Sequence, residues 1–276
     1  MIAFGRRPAM MRMRAGGRLH GRFLRDRVAL VTGVSRRRGI GFAVAGRLAA
    51  VGADLYVHSF AAYDAGQPWG AEPAGPAALA RELERHGGRV LHQDLDLHDP
   101  GAPERLLAAA VQALRHVDVL VANHAHSAMG ALEELTGAGI DRHLAVNVRA
   151  TLLLIKAFAA QHDGRPGGRV VLLTSGQHLE PMPGELAYAA SKGALHQVTL
   201  SLAAHLAPRG ITVNTVNPGA TDTGYASPAL YARVLAHQPM GRWGQPDDAA
   251  RLIAWLATDE ASWITGQVLD STGGGA

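Results

Sequence analysis

Val28-Ala29-Leu30-Val31-Thr32-Gly33-Val34-Ser35-Arg36-Arg37-Arg38-Gly39-Ile40-Gly41 joins a short apolar run to a glycine-rich turn. A helical pattern follows, so the stretch predicts a strand, a turn and a helix in that order. Gly33 permits the tight turn, Gly39 lets a phosphate ligand approach the backbone, and Gly41 lets the helix pack against the strand. Backbone N–H groups at such a helix start cradle phosphates, so we predict a phosphate-binding turn. Its predicted members are Gly33, Ser35, Arg36, Arg37, Arg38, Gly39, Ile40 and Gly41.

The rest of the chain repeats this alternation of short apolar runs with longer helical patterns. Such alternation predicts β-α-β units, and therefore an α/β fold with a doubly wound parallel sheet of about seven strands and helices on both faces. The predicted strands are Val28–Thr32, Asp54–His58, Arg89–Gln93, Val117–Ala122, Arg169–Thr174, Thr212–Val216 and Gln267–Leu269. The predicted helices are Phe42–Val51, Ala77–His86, Pro103–Arg115, Gly139–Gln161, Ala187–Ala207 and Pro246–Thr258.

Charge divides the 276-residue chain into two parts. Residues 1–25 hold seven arginines and no acid, while the remainder has 20 basic and 23 acidic residues. The net charge of +4 therefore belongs to the N-terminal segment, which argues against nucleic-acid binding by the body. We interpret residues 1–25 as a disordered or wrongly assigned basic extension, with an organelle presequence as the alternative, and 26–276 as one domain.

Composition excludes several kinds of site. The chain has no cysteine, which rules out disulfides, thiol nucleophiles and zinc–thiolate sites and suits a cytoplasmic protein. No apolar run approaches the roughly 18 residues that cross a membrane, so we expect no membrane partner. His124 and His126 lie two residues apart without a nearby acid, which is a poor ligand set, and we predict no metal.

Tyr188-Ala189-Ala190-Ser191-Lys192 carries the clearest chemical signal. Tyr188 and Lys192 are one helical turn apart, so their side chains leave the same face of a helix. An ammonium near a phenol favours the phenolate, so we expect Lys192 to lower the pKa of Tyr188. The pair alone is weak evidence, but Ser175 follows an apolar run upstream and Asn147 lies within an earlier helical pattern.

Together with the glycine-rich turn, these residues resemble the short-chain dehydrogenase/reductase family, in its standard single-domain branch. The resemblance runs from about Arg27 to Gly274 and implies a Rossmann-type fold. It implies that Asn147, Ser175, Tyr188 and Lys192 are the catalytic residues, with Tyr188 as the proton donor. The chain departs from the family at the glycine-rich turn, because the gap between the first two glycines is two residues longer and holds three arginines. It also departs at Val121–Ala125, where the family usually has Asn-Asn-Ala-Gly and only Asn123 remains.

The resemblance also implies further contacts with a nicotinamide cofactor. Asp96 matches the aspartate that meets the adenine, although Asp94 is close enough to be confused with it. Either Thr221 or Thr223 would hold the carboxamide, and family spacing favours Thr223. The cofactor contacts implied beyond the glycine-rich turn are Ser59, Asp96, Leu97, Asn123, Tyr188, Lys192, Pro218, Gly219, Thr221 and Thr223. Ser175, Gln177, His178 and Tyr188 would face the substrate.

Cofactor choice depends on charge near the second strand. Ser59 stands where NAD-preferring relatives place an acid, and the three arginines of the turn can supply a 2′-phosphate site. We therefore expect NADP(H) rather than NAD(H). The long loop 60–76, rich in Gly, Pro and Ala, is either surface filler or a cover for the adenosine end of the cofactor.

The expected activity is hydride transfer between NADP(H) and a ketone or secondary alcohol, with 3-oxoacyl-[acyl-carrier-protein] reductases as the nearest resemblance. An enoyl reductase of the same family is one alternative, although those enzymes usually space tyrosine and lysine wider. A catalytically silent NADP(H)-sensing protein is the other. The expected partner is a small carbonyl or alcohol substrate. The resemblance implies a homo-oligomer, a tetramer or dimer.

Overall fold

The computed structural model describes residues 23–275. The predicted N-terminal extension, residues 1–25, lies outside the described residues except for its last three. Of these, Leu24 is 1% exposed and belongs to the hydrophobic core, and its backbone N–H donates to the Val51 carbonyl at 3.0 Å. The packed body of the protein therefore includes at least Leu24.

Seven strands form one sheet in which every neighbouring pair is parallel, in the order β3-β2-β1-β4-β5-β6-β7. The predicted doubly wound sheet is confirmed. The strands are β1 (Val28–Val31), β2 (Asp54–Ser59), β3 (Val90–Asp94), β4 (Val119–Ala122), β5 (Gly168–Leu173), β6 (Ile211–Asn217) and β7 (Val268–Asp270). The order reverses between β1 and β4, which is where open α/β sheets bind ligands at the strand carboxyl ends.

Nine α-helices lie within residues 23–275. They are α1 (Ile40–Ala50), α2 (Ala61–Ala65), α3 (Pro76–Leu83), α4 (Ala102–Leu114), α5 (Gly137–His143), α6 (Ala150–Gln161), α7 (Leu186–Leu206), α8 (Pro228–His237) and α9 (Pro246–Leu256). Five of the six predicted helices are present, and the one predicted over Gly139–Gln161 is divided into α5 and α6. The structure adds α2, inside the long loop, and α8, which follows β6.

Both faces of the sheet are covered by apolar side chains. In β1, Ala29 and Val31 pack into one core cluster, while Val28 and Leu30 pack into the cluster on the opposite face. A strand buried on both faces reads as a continuous apolar run, which is why these strands were visible in the sequence.

The helix predicted over Gly139–Gln161 is not a single α-helix. It begins at Gly137, and Leu144–Arg149 between α5 and α6 is π-helical. Asn147 lies in this turn, and its carbonyl accepts a hydrogen bond from the Thr151 hydroxyl at 2.8 Å. Single π-turns of this kind are frequent at functional sites.

Residues 137–161 also form the one helical stretch of the described chain with the length and mean hydropathy, 1.3, to cross a membrane. Half of that stretch is buried inside the fold. Leu154, Ile155 and Phe158 lie in the core beneath the sheet, so the hydropathy is that of a core helix.

Candidate active site

A cavity of about 750 Å³ opens at the carboxyl ends of β1 and β4, where the strand order reverses. Its walls come from the glycine-rich turn, the loops after β2, β3, β4 and β5, the start of α7 and the segment after β6. The predicted site residues that line it are Gly33, Ser35, Arg36, Gly39, Ile40, Asp96, Leu97, Asn123, Ser175, Tyr188, Pro218, Gly219, Thr221 and Thr223.

The glycine-rich turn has the close approaches expected of a phosphate cradle. Gly33 has a φ of 74°, which L side chains rarely adopt. A Cβ on Gly41 would lie 2.3 Å from the Gly33 carbonyl oxygen, so no larger residue fits there. The Asn123 amide donates to the Gly33 carbonyl at 3.1 Å and fixes the turn against β4. The N-terminus of α1, preceded by Gly39, is left at the cavity wall.

Tyr188 and Lys192 lie on α7, one turn apart, but only Tyr188 lines the cavity. Lys192 is 2% exposed, and its Nζ donates to the Leu173 carbonyl at 2.9 Å. Burial lowers the pKa of Lys192 to about 8. The ammonium therefore lies beneath the cavity floor, between α7 and β5.

Burial raises the pKa of Tyr188 above the ordinary tyrosine value, while a hydrogen bond with Ser175 acts in the opposite direction. The prediction of a lowered tyrosine pKa is wrong for this structure, because desolvation of the phenolate outweighs the stabilising contacts. A tyrosine of this kind keeps its proton near neutral pH. It can donate that proton to an oxygen that gains negative charge.

Asn147 lies behind the cavity and is fully buried. Its Oδ1 accepts from the His126 backbone N–H at 2.7 Å, and its Nδ2 donates to the His126 carbonyl at 2.9 Å and to the Ser191 hydroxyl at 2.8 Å. The side chain thus holds the segment after β4 against α7, one residue from Lys192.

Only one of the three arginines predicted to bind phosphate faces the cavity. Arg36 lies over the Trp69 ring, pairs with Asp64 at 3.1 Å and donates to the Thr223 carbonyl at 2.9 Å. Arg37 and Arg38 do not line the cavity. Their guanidinium groups instead reach surface acids: Arg37 pairs with Glu72 and Glu82, and Arg38 with Asp222.

Ser59 is also not brought to the cavity. It is fully buried, and its hydroxyl donates to Asp94 Oδ2 at 2.7 Å, across the pair that joins β2 to β3. Asp94 is thus occupied by Ser59, while Asp96 lines the cavity. The structure distinguishes the two aspartates in favour of Asp96.

The segment after β6 presents its two threonines differently. The Thr221 hydroxyl donates to the Pro218 and Gly219 carbonyls, at 3.1 and 3.2 Å. The Thr223 hydroxyl has no hydrogen-bond partner within residues 23–275. Thr223 is therefore the one whose hydroxyl is free for a ligand.

The two residues proposed beside Ser175 for substrate contact point away from the cavity. Gln177 Oε1 accepts from the Ser175 backbone N–H at 3.2 Å and so supports the serine loop. His178 Nε2 lies 3.1 Å from Asp270 Oδ1, at the start of the C-terminal segment. Neither residue lines the cavity.

His124 is a structural residue of the site. It is 7% exposed, with Nδ1 2.7 Å from the Thr32 hydroxyl and Nε2 3.0 Å from the Val146 carbonyl. Burial lowers its pKa to about 3, so the imidazole is neutral at physiological pH. The ring fills the space between β1, β4 and the π-turn where the family usually has a smaller residue. No group of three or more potential metal ligands occurs among residues 23–275.

Several cavity residues were missed from the sequence. The long loop after β2 places Tyr63, Asp64 and Trp69 on the wall, so the loop is part of the site. Three aromatic residues, Phe60, Tyr63 and Trp69, in a segment otherwise rich in Gly, Pro and Ala were the available signal. Glu185 and Tyr225 also line the cavity.

Comparisons with known proteins agree with this geometry. A family described as Enoyl-(Acyl carrier protein) reductase matches residues 33–275. An uncharacterized oxidoreductase of Bacillus subtilis (strain 168), YjdA, is 41% identical over 251 residues, which cover 90% of this chain and 96% of YjdA.

Two solved structures superpose closely on the chain. A short-chain dehydrogenase/reductase from Serratia marcescens BCRC 10948 has a TM-score of 0.81 at 34% identity, covering 91% of this chain and 98% of its own. The angucycline C-6 ketoreductase LanV with bound NADP has a TM-score of 0.81 at 35% identity, covering 92% and 96%. The fold, the cavity at the sheet's switch point and these relatives show that the chain belongs to the short-chain dehydrogenase/reductase family and is an NAD(P)-dependent oxidoreductase.

Proposed function

We propose that this protein reduces a ketone to a secondary alcohol with NADP(H), with Tyr188 as the proton donor. The observation that carries the proposal is the position of Tyr188. Tyr188 lines the cavity beside Ser175, and the buried Lys192 lies one turn behind it on α7. LanV, which shares the fold, is a ketoreductase.

The cavity fits a dinucleotide. Gly39, which precedes α1, lines the cavity wall where a pyrophosphate would lie, and the start of α1 faces the same wall. We assign the carboxamide contact to the free hydroxyl of Thr223 and the adenine contact to Asp96. When bound, NADP(H) supplies the hydride.

The chain's own residues handle the proton and the substrate oxygen. Ser175 donates a hydrogen bond that fixes the carbonyl oxygen, and Tyr188 gives that oxygen its proton as negative charge develops. Lys192 contributes positive charge beneath the site, and its contact with the nicotinamide ribose stays a prediction. Asn147 holds α7 and the segment after β4 in register, so that Ser175, Tyr188 and Lys192 keep their relative positions.

We propose NADP(H) rather than NAD(H) because of Arg36. Nε of Arg36 pairs with Asp64 and Nη1 bonds Thr223, while Nη2 has no hydrogen-bond partner within the described chain. A guanidinium with free donors on the cavity wall suits a 2′-phosphate. The Arg36 pair also neutralises Asp64, the acid that would otherwise repel that phosphate.

A 3-oxoacyl thioester is the second candidate substrate. It is favoured by the acyl-carrier description of the matching family and by two exposed arginines on the cavity wall, Arg142 and Arg233, which suit a phosphate-bearing carrier arm. We further propose a homo-oligomer formed through α6 and α7, where Leu200 is 67% exposed. The cytoplasmic localisation and the absence of membrane and nucleic-acid partners stay predictions.

Steady-state turnover with NADPH tests the proposal. Ketones, acyl thioesters and enoyl thioesters are compared with the wild-type protein, and NADPH binding is followed by fluorescence in parallel. Reduction of ketones supports the proposal, and reduction of enoyl thioesters alone would make the protein an enoyl reductase. Binding of NADPH without turnover on any substrate would favour the silent cofactor-sensing protein.

A further inference from the structure

Glu185 is an acidic residue on the cavity wall for which the reaction described above has no use. It precedes α7 as the N-cap residue, three positions before Tyr188, and is half-buried. Residues three apart at a helix start lie near one another. The carboxylate is therefore close to the proton donor on the cavity wall.

The side chain of Glu185 has no hydrogen-bond or ion-pair partner in the part of the chain that the structure describes. The other two acids of the cavity wall have partners. Asp64 pairs with Arg36 and accepts a hydrogen bond from the Trp69 indole. Asp96 accepts one from the His98 backbone N–H. Glu185 makes no side-chain hydrogen bond or ion pair with any residue from 23 to 275. Burial raises the pKa of this carboxyl, and the charge of His143 lowers it to a lesser extent. A half-buried carboxyl left without a donor is unfavourable unless a ligand provides one.

The backbone fixes this carboxyl in place. The Leu186 N–H donates to the Gly130 carbonyl at 3.2 Å, and the Gly130 N–H donates to the Gly184 carbonyl at 2.7 Å. These bonds tie the segment before α7 to the loop after β4. The Glu185 N–H also donates to the Met182 carbonyl at 3.1 Å. Glu185 therefore lies on a segment whose backbone is fixed by hydrogen bonds, and a fixed backbone keeps a binding residue in position.

The surroundings of Glu185 are apolar and aromatic. Met129, Met182 and Tyr225 line the cavity, and a Cβ on Gly184, the residue before Glu185, would lie 3.4 Å from Met129 Cε. The pKa of Tyr225 is raised first by burial and next by the charge of Glu185, so the two side chains are close enough to interact. Methionine and aromatic walls favour a flat, apolar ligand. Because the Glu185 carboxylate is a hydrogen-bond acceptor among these side chains, it favours a ligand that carries one hydrogen-bond donor.

We propose that Glu185 is a specificity-determining residue that accepts a hydrogen bond from a hydroxyl group of the substrate, which is therefore a hydroxylated aromatic ketone. This rests on the proposed function, since it names the substrate of the same site. The hydroxyl group satisfies the carboxylate, the ring packs against the methionines and Tyr225, and the carbonyl lies at Ser175 and Tyr188. A substrate with negative charge at this position would be repelled.

Matched ketones test the inference. The probes are 1-tetralone and its monohydroxylated isomers, assayed with NADPH on wild type, Glu185→Gln and Glu185→Leu. Glu180→Gln is the matched control, since this exposed glutamate precedes the same segment and does not line the cavity. We expect at least one hydroxylated isomer to have a kcat/KM about 10-fold or more above that of 1-tetralone in wild type, on the scale of a hydrogen bond to a charged group.

Glu185→Leu should abolish this preference by lowering kcat/KM for the hydroxylated isomer only. Glu185→Gln should keep part of it, because its amide oxygen still accepts a hydrogen bond, and Glu180→Gln should keep all of it. An equal loss on both kinds of ketone in folded Glu185→Leu would mean that Glu185 acts through Tyr188, and would overturn the inference. Wild type without any preference for a hydroxylated isomer would overturn it as well. The proposed function fails, and the inference with it, only if wild type reduces no ketone at all.

Discussion

The ammonium of Lys192 lies 5.7 Å from the centre of the Tyr188 ring, on the next turn of the same helix. It is shielded from solvent, and its hydrogen bond goes to the Leu173 carbonyl. Burying an ammonium without a carboxylate partner costs folding free energy. The fold thus accepts a destabilising charge at the position where the proposed reaction uses it.

This charge should make stability depend on pH. Below about pH 8 Lys192 is charged in both the folded and unfolded states, so the cost of burial is fully present. Between about 8 and the ordinary lysine value of 10.5, the folded protein releases the proton while the unfolded chain keeps it, so stability rises with pH. We expect the Tm of wild type to rise relative to the Tm of Lys192→Met between pH 7 and pH 9.5.

The control for this prediction is Lys156→Met. Lys156 is the other lysine of the chain, and its side chain is 72% exposed. The difference in Tm between Lys156→Met and wild type should not change with pH. A Lys192→Met difference that is also independent of pH would show that Lys192 titrates normally.

Arg36 is predicted to set the cofactor preference. Arg36→Ala removes the free donors and leaves Asp64 without its cation, so affinity for NADPH should fall about 10- to 100-fold. Affinity for NADH should change less, because NADH has no 2′-phosphate. Arg38→Ala is the control, since Arg38 pairs with Asp222 outside the cavity. Titration of both cofactors by fluorescence measures the effect, and parallel losses of NADH and NADPH in Arg36→Ala would contradict it.

Ser59→Asp is predicted to destabilise the protein rather than to change its cofactor. The Ser59 hydroxyl donates to Asp94, so a carboxylate at this buried position would lie against the Asp94 carboxylate and place two like charges together. We expect a clear fall in Tm at pH 7 that becomes smaller at low pH, where the carboxyls are protonated. A folded, stable Ser59→Asp protein with improved use of NADH would show instead that residue 59 reaches the ribose.

The case of Ser59 shows which features the sequence could not supply. Strands were visible because burial on both faces produces continuous apolar runs, and the glycine-rich turn was visible because its spacing is local. The pairing of Ser59 with Asp94 depends on the register of β2 against β3, which no local pattern encodes. Arg37 and Arg38 likewise meet acids far along the chain, so their direction could not be read from the turn itself.

The raised pKa of Tyr188 likewise depends on the assembled fold and not on a local sequence pattern. Helical spacing indicated that Lys192 is near Tyr188, but it gave no measure of how much water the fold removes around the phenol. The contribution of Glu185 was also hidden, since a lone glutamate before a helix resembles an ordinary capping residue. Its lack of a partner is a property of the assembled cavity.

Leu24 is predicted to contribute to the stability of the domain. Its side chain is almost fully buried in the core, so Leu24→Ala should lower the free energy of unfolding by about 2–5 kcal/mol. Phe23→Ala is the neighbouring control, because Phe23 is 39% exposed and should change stability much less. Equal, small effects in urea unfolding would show that the domain begins after Leu24.

The most direct test of the account is the turnover of Tyr188→Phe. The substitution removes the hydroxyl and keeps the ring, so the Tm and NADPH binding should stay near those of wild type. Because the proton donor is lost, kcat for ketone reduction should fall by about 10²-fold or more, on the scale of general acid catalysis. A folded Tyr188→Phe protein that binds NADPH and turns over ketones at close to the wild-type rate would contradict the assignment of Tyr188 as the acid.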